Sequence, residues 1–202
     1  FYGYFFTYFI GSFRPEHQLF GFMHSVAIFN RMLSNEDIQL CYRSPLSGSE
    51  FGLVMYAMLN DPLVRVANNK INDLGSYHRV LDFYPQNLRF TANGCMAQGC
   101  ISSHSLRFSG SQAATTQKAI TFGTSFTIQA WIRTTAITEY FRETLIDIYS
   151  EHRYCELCIQ LIHHSATDSK LAVTIDDQLY ESDLLIQPDT WSFIAVAVNF
   201  ST

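Results

Sequence analysis

From residue 105 onward, apolar and polar positions alternate with period two in short runs broken by turn residues. The runs are SLRFSG, KAITF, FTIQAWIRTT, ETLIDIYS, YCELCIQLI, KLAVTID, QLYES and WSFIAVAVNF. Turn signals every 8–15 residues predict an all-β sandwich. In FTIQAWIRTT, Phe126, Ile128, Ala130 and Ile132 share an inner face, while Thr127, Gln129, Trp131 and Arg133 share an outer, more polar one. WSFIAVAV is apolar on both faces and is predicted to be central in its sheet. The front of the chain predicts strands at Tyr4–Ile10, at Phe20–Phe29 and in GLVMYAML after residue 51, with a polar, turn-rich stretch following.

One helix is predicted, near residues 35–42. Ser34 is an N-cap candidate with Asp37 three residues on, which approximates a capping box. Leu33 and Ile38 occupy the two positions of a hydrophobic staple. Directly after it, RSPLSGSEFG carries Pro, Gly and three Ser, so residues 44–52 are expected to be a linker.

Composition supports a β-rich fold. The 202 residues include 17 Phe and 11 Tyr, both strand formers, and only 15% are charged. The net charge is −5 and the basic residues form no run, which argues against a nucleic-acid partner. The apolar opening FYGYFFTYFI spans about ten residues, too few for a membrane helix of roughly 20, and no signal-peptide pattern is visible. Five cysteines leave an odd one out. Cys95 and Cys100 flank a Gly-containing loop and are expected to form a small disulfide. Cys155 and Cys158 have odd spacing in a strand, which puts them on opposite faces and disfavours a redox or zinc pair.

The series SLRFSGSQ, FTIQAWIRTT, TLIDIYS, KLAVTID and DTWSFIAVAVN is similar to the laminin-G-like, or concanavalin-A-like, jelly-roll family, with Trp131 and Trp191 at its two signature tryptophans. Motifs that close such a domain stand at the front instead, as TYFIGS (7–12), FGFMHSVAIFNRMLS (20–34) and NEDIQLCY (35–42). The resemblance implies an antiparallel jelly-roll sandwich. It also implies tandem repeats cut out of phase: residues 1–43 would end one sandwich and 53–202 would begin the next. A module of this kind is expected at the cell surface or in extracellular matrix. It would bind glycan or protein ligands and neighbouring repeats, without catalysis, and some members hold calcium.

Candidate chemistry is sparse. Asp73, Asp82, Asp147, Asp176 and Asp177 are the acids available to calcium, but none stands at a spacing that matches a site. A jelly-roll carbohydrate-active enzyme is the alternative reading and needs two carboxylates facing one cleft. The nearest stretch is ETLIDIYSE, where Glu143 and Asp147 keep strand parity about 13 Å apart. His163 and His164 are adjacent, so they make a poor chelating pair and read as a solvated strand end. Trp131 has two readings, a sugar-stacking platform or a core residue at the seam. Asn199-Phe200-Ser201 is an N-glycosylation sequon.

Overall fold

The structure is a computed structural model and describes residues 6–11, 17–60, 70–75, 80–84, 89–92, 94–97, 100–110, 113–116, 123–135, 141–150 and 153–200. In chain order the elements are β1 (Phe6–Gly11), β2 (Leu19–Phe29), α1 (Asn35–Arg43), β3 (Leu53–Met58), β4 (Lys70–Asn72), β5 (Val80–Tyr84), β6 (Arg89–Thr91), β7 (Met96–Ala97) and β8 (Cys100–Ile101). They continue with β9 (Ser105–Gly110), β10 (Ala113–Thr116), β11 (Ser125–Thr134), β12 (Phe141–Ser150), β13 (Arg153–His163), β14 (Ser169–Ile175), β15 (Gln178–Ile186) and β16 (Ser192–Asn199).

Two antiparallel sheets pack face to face, as the alternating runs predict. One has eight strands in the order β15-β14-β13-β12-β1-β10-β5-β4. The other runs β16-β11-β2-β9-β6, with β3 also paired to β2. The core between them holds Phe126, Ile128, Ala130 and Ile132 of β11, Val26 and Ile28 of β2, and Ile146, Ile159 and Leu161 of the facing sheet. The inner face read for β11 is therefore the one that is buried between the sheets. KAITF, expected as a strand, lies outside the described residues; the described strand nearby is β10, AATT.

The front segment does not lie apart from the rear one. β2 is hydrogen-bonded between β11 and β9, and β1 between β12 and β10. Strands of 1–43 and of 53–202 thus share both sheets here, rather than forming two separate bodies. The expected linker at 44–52 does not separate them, because β2 and β3 on either side of it pair directly, from Ser25↔Met58 to Phe29↔Leu53. The Glu50 carboxylate accepts backbone N–H groups of Ser47 and Gly48 and folds the segment into a tight turn. Leu46 packs into a second apolar cluster with Phe29, Leu33, Leu53 and Tyr56. Gly21 permits the interleaving locally, since a Cβ there would collide with the Arg133 carbonyl oxygen across the β2–β11 pair.

Two of the register shifts bear on the candidate residues. Between Trp131 and Ile132, β2 carries one extra residue, His24. In β12 the register shifts between Thr144 and Ile146. Glu143 stands opposite Leu161 on the core side, whereas Asp147 stands opposite Cys158 on the other face. The strand parity expected for Glu143 and Asp147 is therefore broken by a bulge, and the two carboxylates cannot face one cleft.

β16 also departs from expectation. It is apolar on both faces, yet it pairs with β11 alone among the described strands and stands last in the order of its sheet as described.

Candidate functional site

The outer face of the β16-β11-β2 sheet is the most elaborated surface of the described residues. Sequence alternation places Ser25, Ala27, Thr127, Gln129, Trp131 and Phe193 on it. Helix α1 lies over this face. Its start matches the capping box read in the sequence: Ser34 Oγ accepts from Asp37 N at 3.1 Å, and Asp37 Oδ2 accepts from Ser34 N at 3.2 Å. The Arg31 guanidinium donates to Asp37 Oδ2 at 2.8 Å and, as the main cause, holds that carboxyl below its usual pKa. Leu33 and Ile38, the staple pair, meet in the second apolar cluster. Thr127 fixes the helix entry to the sheet, because its hydroxyl donates to Arg31 O at 3.0 Å and accepts from Leu33 N at 2.9 Å. The helix itself has no fully buried residue, so its contact with the sheet is one-sided and light.

Beneath the helix is a small recess lined by Ser25, Cys41, Tyr56, Gln129, Trp131 and Phe193, with room for about one water molecule. Trp131, the candidate for sugar stacking, is 3% exposed. The Tyr42 ring stacks on it at 5.5 Å and Phe193 tilts against it at 5.3 Å. The indole is thus covered, though on the outer face of the sheet and not at the seam between the two sheets, and the aromatic ring at the surface is that of Tyr42. Burial pushes the Tyr56 phenol up to about 12 and raises the Cys41 thiol, so neither is an anion at neutral pH.

At the other end of the same face, Cys95 and Cys100 form the expected disulfide, with their Cα atoms 5.5 Å apart across the β7–β8 hairpin. The two cysteines cluster with Trp131, and Trp191 and Phe193 pack against that cluster. Trp191 Nε1 donates to Gly94 O at 3.1 Å, which ties the hairpin to the start of β16. The bulged His24 is 4% exposed beside Trp191 and meets Asn60 Nδ2 through Nε2 at 2.9 Å. Burial lowers its pKa to about 4, so it is neutral at physiological pH.

A second polar group lies on the inner side of the eight-stranded sheet. Ser169 Oγ and His163 Nδ1 are 2.7 Å apart, directly opposite each other on β14 and β13. His163 Nε2 lies 3.2 Å from Glu143 Oε2, within ion-pair range but without hydrogen-bond alignment. Glu143 Oε1 accepts from Phe20 N of β2 at 3.0 Å, which links the two sheets. His163 is expected in a solvated strand end; it is instead 1% exposed, on the core side of β13 beside Glu143, whose carboxylate reaches Phe20 N of β2. His164 points out and meets Glu181 at 3.6 Å. The residue types are those of a serine-nucleophile chain, but Ser169 is 1% exposed, so no substrate reaches it in this arrangement. The group acts as a tie between sheets.

The remaining candidates are scattered. Asp73 is buried and accepts Tyr56 N and Gly75 N, each at 2.7 Å, as a turn-forming group. Asp176 and Asp177 form the two-residue turn between β14 and β15, both with positive φ of 47° and 64°. The side chains of Asp82 and Cys155 lie outside the described residues. Cys158 shares the outer face of β13 with Gln160, as the spacing predicted, and its sulfur is 3.8 Å from Thr144 Oγ1. Among the described residues no three His, Cys, Asp or Glu side chains come together as a metal site, and no helix is long and apolar enough to cross a membrane. Asn199 is exposed at the end of β16. No family model, curated protein or solved structure matches this chain.

Proposed function

We propose that the chain is a non-catalytic binding and structural module of a larger tandem-repeat protein, acting outside the cell or at its surface. The observation that carries this reading is the position of β2. Its closing-type motif pairs on one side with SLRFSG and on the other with FTIQAWIRT, so end-type and start-type motifs meet in one sandwich. A jelly-roll module built that way joins successive repeats through shared sheets. The Cys95–Cys100 disulfide favours an oxidising compartment, and the exposed Asn199 sequon is open to glycosylation there. Glycan or protein ligands are the expected partners, and calcium at a loop rim rests on the resemblance alone.

The carbohydrate-active alternative loses the nearest pair that the sequence offers it, since Glu143 and Asp147 point to opposite faces. The test is secretion of the chain followed by a glycan array and an overlay on extracellular-matrix proteins. Specific binding by oxidised, secreted protein supports the reading. Hydrolysis of any bound polysaccharide overturns its non-catalytic part, and a chain that folds only with Cys95 and Cys100 reduced overturns its extracellular part.

A further inference from the structure

Helix α1 lies over the outer face of the sheet without burying any of its own residues completely, and the recess beneath it brings polar side chains of four elements together. Ser25 comes from β2, Tyr56 from β3, Gln129 from β11 and Cys41 from α1. The rings of Trp131 and Phe193 complete the lining.

One group in this lining is unsatisfied. Gln129 is 4% exposed, yet its Oε1 accepts from no protein group among the described residues. The N–H end of the same amide donates to the Cys41 thiol. Buried carbonyl oxygens are nearly always hydrogen-bonded, so an orphan beside a polar recess marks a place where a partner belongs. Turning the amide over would set an N–H there in place of the oxygen. Either way, one end of the Gln129 side chain is left to a partner that is not protein.

The walls restrict what that partner is. Burial pushes the Tyr56 phenol up to about 12 and raises the Cys41 thiol, so the lining is uncharged at neutral pH. An ion would lose its hydration there and meet no counter-charge. The space is that of about one water molecule, which excludes a sugar or an amino-acid side chain. Water also donates and accepts, so it serves whichever end of the amide faces it.

We propose that the recess beneath α1 is a binding site for one internal water, held by the Gln129 side-chain amide and drawing its other partners from Ser25, Tyr56 and Cys41. Such a water joins α1 to three strands of the sheet through hydrogen bonds that the helix does not make directly. It accounts for how a helix with so little buried surface covers a polar face without leaving Gln129 unpaired. The inference is independent of the proposed function, since it invokes no glycan, partner or compartment.

The experiment is a crystal structure of the chain at a resolution that shows ordered solvent, together with water–protein Overhauser spectra in solution. The expected result is a single solvent peak within about 3.2 Å of the Gln129 side-chain amide, and cross-peaks between water and the Gln129 amide protons. Gln129→Met keeps the length of the side chain and removes the amide, and its crystal structure is expected to lack the peak. If that variant folds poorly, the two measurements on the parent still decide. A recess without ordered solvent overturns the proposal, as does the absence of the cross-peaks. So does a Gln129 amide bonded at both ends to protein groups, an ion or organic solute in place of water, or a peak that persists unchanged in Gln129→Met.

Discussion

The Glu143 carboxylate and the His163 imidazole lie 3.2 Å apart with side-chain exposures of 0% and 1%. Their neighbourhood is the core side of β12 and β13, closed by Phe20 of β2. A carboxylate placed there loses its hydration, and this desolvation raises the Glu143 pKa above its ordinary value of 4.5, while His163 and the Phe20 N–H only partly offset it. A carboxyl whose folded pKa is raised contributes its full stability below pH 4.5 and loses it as pH rises through the folded value. Glu143→Gln keeps an acceptor for Phe20 N and removes the charge. The stability of this variant relative to the parent should therefore rise with pH when urea unfolding is measured from acid to neutral conditions. A difference that stays constant would show that the carboxyl is not strained by burial.

His24 tilts stability the opposite way. Burial beside Trp191 lowers its pKa from 6.5 to about 4. The unfolded chain then binds more protons between those two values, so stability drops as pH falls from 6.5 towards 4, by on the order of 3 kcal/mol in all. His24→Gln retains a partner for Asn60 and should flatten that slope. An unchanged slope in the same window would place the proton uptake elsewhere.

Neither buried group is legible in the sequence, whereas several local features are, and the reason is register. The capping box at Ser34 and Asp37, the staple of Leu33 and Ile38, and the Cys95–Cys100 loop are legible because each lies within a few residues of chain. The two faces of β11 are legible because its alternation runs unbroken from Phe126 to Ile132. Glu143 and His163 are not, because a single shift at Thr144/Ile146 turns a carboxylate towards the core while its neighbour Asp147 turns away. The covering of Trp131 by Tyr42 depends on how α1 returns over the sheet, a contact between residues about ninety apart that no local pattern encodes.

The Cys95–Cys100 bond closes a short loop, so its entropic effect on the unfolded chain is modest, roughly 2 kcal/mol. Its second effect is local, because the two cysteines cluster with Trp131 and the Gly94 carbonyl beside them holds Trp191. Cys95→Ser with Cys100→Ser should lower stability by about that amount and also red-shift tryptophan emission in the native state. A loss of stability without the spectral shift would mean that the hairpin keeps its place without the bond.

Thr127 and Ser34 hold the same helix by different means, and their coupling reports how α1 is attached. Thr127→Val keeps the shape but removes the hydroxyl that serves Arg31 O and Leu33 N; Leu33 is 4% exposed, so its N–H is left without a partner at a cost of about 1–3 kcal/mol. Thr127→Ser restores the hydroxyl and should recover most of this. Ser34→Ala removes the cap and costs about 1 kcal/mol. Because α1 buries no residue completely, a chain that has lost the Thr127 anchor should already release the helix in part, and the cap then matters less. The double variant is expected to cost less than the sum of the single ones, with iodide quenching of Trp131 rising first in Thr127→Val as Tyr42 leaves the indole. Strict additivity with no gain in quenching would show instead that the helix stays seated and that cap and anchor act independently.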